Sequence, residues 1–136
     1  MLANGAKLAV KLKGETSFTD LLGLKEIPDL GIDPEKVDNT VLTDPHKKYE
    51  QGIGDLPDVV YKFKYDNTAV ASPYRKMRAL QASGNVATFQ ETLKDGTITT
   101  MEAQAAVKRT GAGVNGVIDF DLTLTVQSNL SIADPA

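Results

Sequence analysis

The chain has 136 residues, a formal net charge of −3, a pI of about 5.1, and neither cysteine nor tryptophan. That length suits one domain, able to bury roughly 68% of its extended-chain surface around a single core. The absence of thiols excludes disulfides, cysteine nucleophiles and thiolate metal sites, and the mild acidity argues against a general nucleic-acid binder, which clusters Lys and Arg.

From the N-terminus, Lys7, Lys11 and Lys13 interrupt Met1–Lys13, so it holds no apolar run of signal-peptide length. No later stretch reaches the roughly 20 apolar residues of a membrane-spanning helix. The expectation is a soluble chain with no membrane partner. Strands are predicted at Lys7–Lys13, Ser17–Ile27 and Lys36–Leu42. The segment Thr43–Pro57 shows neither period and carries Pro45, Gly52, Gly54 and Pro57 among mixed charges. It is far longer than a hairpin turn, and loops of that length in a small domain usually carry function or disorder.

Strict alternation begins at Asp58. Val59, Tyr61, Phe63 and Tyr65 share one face of a strand; Val60, Lys62, Lys64 and Asp66 share the other. A helix is predicted over 73–83, with Ser72 as its cap, Pro73 at its first position and Gly84 ending it. Tyr74, Met77 and Leu80 give it a narrow apolar stripe. Strands follow at Val86–Leu93 and Thr97–Arg109, joined by a hairpin turn at Asp95-Gly96. In the second, Thr99, Met101, Ala103, Ala105 and Val107 form an apolar face of mostly small residues, which permits close packing by another element or subunit. In Val117–Gln127, Ile118, Phe120, Leu122, Leu124 and Val126 oppose Asp119, Asp121, Thr123 and Thr125. The ends, about 1–5 and 129–136, read as flexible.

The short motifs that could carry chemistry do not hold up. Gly111, Gly113 and Gly116 match GxGxxG, but a strand follows them where a dinucleotide site needs a helix N-terminus. Asp119 and Asp121 share a strand face and could bind a hard cation or act as acid and base, yet no third oxygen-rich segment accompanies them. His46 is the single histidine, which excludes the common zinc sites and leaves a catalytic triad without its partnered base. Arg75, Lys76 and Arg78 read as the wet face of the helix. Asn129-Leu-Ser131 spells a glycosylation sequon that matters only in a secreted eukaryotic chain. No catalytic residue, cofactor or metal ligand is assigned, and the chain is expected not to be an enzyme.

Phe18–Asp66 resembles the major tail tube proteins of long-tailed bacteriophages, in particular those with non-contractile tails. The matching words are LKEIPDL from Leu24 to Leu30 and PEKVD from Pro34 to Asp38, with Thr40 and Leu42. A charged loop with Tyr49 and the run Gly52, Ile53, Gly54, Asp55 comes next, then the alternating strand ending in Tyr65-Asp66. Asn39 and Val41 depart from the Thr-rich form of that strand. The likeness continues more loosely through the helix and the terminal β region.

The resemblance implies a mainly β domain over 1–136: a two-sheet β-sandwich or barrel of about seven strands flanked by one helix, similar to the type VI secretion tube protein. It implies self-assembly into hexameric rings that stack into a hollow tail tube, the conduit for genome delivery. Partners would be further copies of itself, a tape-measure protein, and tail terminator and distal-tail proteins. Double-stranded DNA would pass through the lumen without specific binding. The location would be the virion, and the host cytoplasm during assembly. Exposed strand edges could close a ring by pairing. Asp44, Lys47, Lys48, Tyr49, Glu50, Gly52, Ile53, Gly54 and Asp55 are candidate contacts between subunits or rings, and Glu102, Asp119 and Asp121 are candidate lumen-facing acids. The alternatives are a monomeric β-barrel carrier of a small ligand, which needs a large apolar cavity, and a metal enzyme or hydrolase built on Asp119 and Asp121.

Overall fold

A computed structural model describes residues 1–31, 36–43, 45–51 and 57–135. In chain order the elements are β1 (Lys7–Lys11), β2 (Thr19–Leu21), β3 (Leu24–Glu26), β4 (Lys36–Asp38), β5 (Tyr49–Gln51), β6 (Val59–Lys64), α1 (Pro73–Ser83), β7 (Ala87–Thr92), β8 (Ile98–Arg109), β9 (Asp119–Val126) and β10 (Ser131–Ala133). Eight strands form one antiparallel sheet in the order β2-β1-β7-β8-β9-β6-β3, with β10 added along β8; β4 and β5 form a separate hairpin. The mainly β expectation with a single helix holds.

The strands at the two ends of that order, β2 and β3, are consecutive in sequence, and Leu22 and Gly23 alone separate them. So short a link spans at most roughly 10 Å. The sheet must therefore curl until its ends meet, as a barrel does. Gly23 makes the corner. Its φ is +88°, and its carbonyl accepts the Lys64 N–H at 2.8 Å, so the β3–β6 ladder extends back to the corner. A Cβ there would lie 3.3 Å from the Lys64 Cβ. The strand expected over Ser17–Ile27 is thus two short strands that serve opposite ends of the sheet.

Alternation fills the interior as predicted. Val59, Tyr61 and Phe63 from β6 meet Phe120, Leu122 and Leu124 from β9, with Leu8, Val10, Phe89 and Met101 from the other strands. Phe63 and Phe120, opposite each other in register, stack at 5.4 Å. Helix α1 adds Met77 and Leu80 to this core and packs on β8, where Ala103 and Ala105 are small enough to admit it. Gln81 Oε1 accepts the Val107 N–H at 3.0 Å, and Gln104 Nε2 donates to the Gly84 carbonyl at 3.2 Å, so helix and strand are joined by polar contacts as well. Tyr74 meets Phe120 edge-on at 5.3 Å and Tyr65 at 4.8 Å, tying the start of α1 to the stacked pair. Ser72 occupies the cap position with extended backbone, but its hydroxyl makes no capping bond and is buried without a partner among the described residues.

Two further differences from the sequence reading have a local cause. β5 lies within the segment expected to be loop throughout, and it pairs with β4. Four residues between Val126 and Ser131 match two along β8 between Ala103 and Thr100, so β10 resumes the line of β9 after an irregular step, where the tail was expected to fray. Ser128 Oγ accepts the Glu102 N–H at 2.9 Å across that step.

One acid sits inside. Glu91, on the inward face of β7, is 4% exposed and accepts a hydrogen bond from the Tyr61 hydroxyl. Burial pushes its carboxyl above the ordinary range, while the bond from Tyr61 pulls the other way. Burial likewise raises the tyrosine, and the hydrogen bond to Glu91 adds to it.

Two outcomes follow. Gly23→Ala should lower unfolding stability by about 1–2 kcal/mol, the cost of a side chain in left-handed backbone, measured by urea denaturation; unchanged stability would refute the corner. Glu91 takes up its proton more readily folded than unfolded, so its ionisation weakens the fold above its folded pKa, and that cost fades as pH falls. Glu91→Gln should therefore be more stable than the parent at pH 7, with the difference shrinking towards the ordinary glutamate pKa; melts across that range check it.

Candidate functional site

Closure of the barrel leaves three surfaces on which function can rest. The first is the β4–β5 hairpin. Its register pairs Lys36 with Gln51, Val37 with Glu50 and Asp38 with Tyr49. The ladder continues as Asn39 N–H donates to the Lys48 carbonyl at 2.8 Å and Lys48 N–H to Thr40 Oγ1 at 2.8 Å. Asp38 Oδ1 accepts the Thr40 N–H at 2.9 Å, and the bonds to Thr40 hold the carboxyl below its usual range. This Asx turn is why the backbone leaves β4 where it does, ending the strand predicted to run to Leu42. Beyond it Val41 and Leu42 are exposed, Leu42 completely. Of the predicted contact residues, Lys47 and Lys48 are exposed on the return limb, and Tyr49 and Glu50 form β5. Asp44, Gly52, Ile53, Gly54 and Asp55 lie outside the described residues.

The second surface is the outward face of β8, β9 and β6. Asp121 stands opposite Lys62 on one neighbour and Lys108 on the other. Asp119 stands opposite Lys64 and is itself covered, because Lys25 Nζ from β3 reaches both its carboxylate oxygens at 3.1 Å. Glu102 is exposed further along β8. The predicted acids do share one face, but opposite charges on adjacent strands make it a mixed lattice. The two aspartates do not converge on a metal: among the described residues no three His, Cys, Asp or Glu side chains group to hold one. Lys25 was not singled out by sequence reasoning, since it lies 94 positions from Asp119 and no local pattern joins them.

The third surface was not anticipated. A groove of about 700 Å³ runs beside α1, walled by Leu12, Val70, Ala71, Ala79 and Leu80, with Lys13, Arg75 and Lys76 at its rim. Arg75 is fixed there by bonds from Nε to Asn67 Oδ1 at 2.9 Å and from NH2 to the Asn67 carbonyl at 3.0 Å. Its walls come from three separate stretches of chain, each apolar at only a few positions.

Over 97% of this chain and 99% of the other, the fold matches a chain in the tail of an empty gene transfer agent particle refined with helical C6 symmetry, with a TM-score of 0.74 at 20% identity. A chain of the native gene transfer agent virion matches over 98% of both chains, with a TM-score of 0.72 at 18% identity. A third, from the sheath/tube terminator of the PVC extracellular contractile injection system in its extended state, matches over 98% of this chain and 96% of that one, at 0.70 and 7% identity. No protein-family model and no curated protein matches the sequence. The fold is therefore one shared with chains of gene transfer agent tail and virion particles and of a contractile injection system.

Lys25→Gln should lower stability by about 1 kcal/mol, because it leaves the half-covered Asp119 carboxylate without its cation. Asp119→Asn together with Lys25→Gln should recover part of the loss. A double-mutant cycle by chemical denaturation reads the coupling; zero coupling would refute the clip.

Proposed function

We propose that this protein is a tail tube subunit: a structural, non-catalytic chain that assembles into hexameric rings, which stack into the hollow tube of a phage or phage-like particle. The supporting observation is that the match to a chain of a C6 helical tail covers 97% of this chain and 99% of that one. On this reading double-stranded DNA passes through the tube into the host. The location is the virion, and the host cytoplasm before assembly. The tube is capped and measured by terminator, distal-tail and tape-measure proteins. The resemblance is in particular to non-contractile tails, whereas the fold is shared with a contractile injection system as well.

We assign Glu102, Asp119 and Asp121 to the lumen side. Asp119 and Asp121 interleave with Lys62, Lys64 and Lys108 across the strands, so passing phosphates meet mixed charge there and not a purely basic stripe. The hairpin is the contact between rings. It shares no ladder with the barrel, and a two-stranded hairpin alone is at best marginally stable in water, so a neighbouring copy is its natural support. The carrier alternative is poorly supported, because Tyr61, Phe63, Phe89 and Phe120 fill the barrel interior that a ligand would need.

Replacing residues 36–51 by a short Gly-Ser linker should leave a folded monomer by circular dichroism and abolish tubes in negative-stain micrographs of concentrated protein. Normal tubes from that variant would remove the hairpin from the assembly. A parent protein that stays monomeric at every concentration would remove the function.

A further inference from the structure

We propose that Asn4-Gly5 is a self-modification site: Asn4 converts to aspartate and isoaspartate through a succinimide, while the second Asn-Gly pair, Asn115-Gly116, is held back by its own turn.

The chemistry needs only water and base. Base removes the Gly5 amide proton, and the Gly5 nitrogen attacks Cγ of Asn4. A new N–C bond closes a small ring, the bond from Cγ to the side-chain nitrogen breaks, and that nitrogen leaves as ammonia with a proton from water. Water then opens the ring. Opening at Cγ gives aspartate; opening at the main-chain carbonyl gives isoaspartate, with the backbone routed through the side chain. Nothing is oxidised or reduced. Asparagine is among the thermolabile residues, and a following glycine has no side chain to block the approach. Of the six asparagines, Asn4 and Asn115 alone precede glycine; Thr40, Thr68, Val86 and Leu130 follow the others.

The two pairs sit in opposite settings. Asn4 and Gly5 are both exposed. They form the centre of the turn from Ala3 to Ala6, which is closed by one bond from the Ala6 N–H to the Ala3 carbonyl at 3.1 Å, with Gly5 at a φ of +93°. Among the described residues the Gly5 N–H has no acceptor and the Asn4 side chain no partner. The attacking nitrogen is bare, and a single backbone bond resists the rotation that brings it to Cγ. At Asn115 the attacking nitrogen is itself the turn donor, since the Gly116 N–H bonds to the Gly113 carbonyl at 3.0 Å. That backbone is also crowded: a Cβ at Gly116 would lie 2.7 Å from the Ala112 Cβ. The proton has to be freed and the loop opened before attack, which slows that site several-fold.

The product lies beside the corner where β2 gives way to β3. Asn4 and Gly5 line a cavity of about 430 Å³ with Leu24, Lys25 and Ile27. Deamidation gives that wall a carboxylate and carries the chain one unit beyond its net charge of −3. The isoaspartyl form adds a backbone atom between Ala3 and Ala6, so the same turn can no longer close.

The test incubates the intact folded chain in mildly alkaline buffer and maps both pairs by peptide mass spectrometry. Asn4 should convert several-fold faster than Asn115, with aspartyl and isoaspartyl products at residue 4. In concentrated urea, where both turns are lost, the two rates should converge. Asn4→Gln, whose longer side chain closes only a larger and slower ring, should lose the first acidic band on isoelectric focusing. Equal rates in the folded chain, a faster Asn115, or an Asn4 that converts only in urea overturns the inference. So does an acidic band that persists unchanged in Asn4→Gln, or a preference for Asn4 that survives in urea, which would take the turns out of the account. No step involves assembly, so each of these failures leaves the proposed function standing.

Discussion

The molecule depends on a closure constraint. β2 and β3 lie at opposite ends of the sheet yet adjoin in the chain through Leu22 and Gly23. A flat or open sheet cannot satisfy that connectivity. The sheet has to curl, and once it curls every inward side chain of β1, β6, β7, β8 and β9 points at the same small volume. The aromatic stack of Phe63 on Phe120, the contact of Tyr74 with that stack, and the seat of α1 on the small residues of β8 all presuppose it. Gly23 is the residue that makes the constraint affordable, because positive φ at the corner carries no Cβ penalty.

Closure also bears on how such a chain can associate. The strands at the ends of the order are three residues each, β2 and β3, and the C-terminal half of β8 is capped by Gln81 of α1. Long free edges, which the sequence reading offered as the route to ring formation, are therefore scarce. That is a safeguard against indiscriminate strand pairing. On the proposed reading, association among the described residues falls to side-chain surfaces and to the β4–β5 hairpin, and side-chain surfaces are more selective than a bare edge, since shape and charge both have to match.

Elements were legible in the sequence where a single physical signal ran long enough. β6, β8 and β9 alternate over six or more residues, and their buried faces were read correctly down to Met101 and Leu122. The helix declared itself by Pro73, Gly84 and the Tyr74-Met77-Leu80 stripe. Two of the short strands were not legible. β5 and β10 are three residues long, and they exist because a partner strand is already in place, a condition that no local pattern records. The kink at Gly23 had a visible signal, an isolated glycine inside a strand pattern, but its meaning lay in the strand order. The site shows the same division. Placing Asp119 and Asp121 on one face needed only period two; seeing that Lys25 covers one of them needed the fold. Glu91 was hidden for the opposite reason, because an acid on an inward face contradicts the pattern that identifies the face.

On the proposed reading, the separation of hairpin from barrel lets the subunit fold before it assembles. The barrel satisfies its own core, so its folding does not wait for a partner. The hairpin is held locally by Asp38, Thr40 and the Lys48 backbone, and among the described residues no third strand pairs with it. On the proposed reading, seating it on a neighbour buries apolar surface but also costs the entropy of fixing the hairpin, so the first contacts gain little. The balance shifts only when one copy is held by several neighbours at once, because the second and later contacts no longer lose translational freedom. On that reading growth favours an existing ring or stack over free subunits.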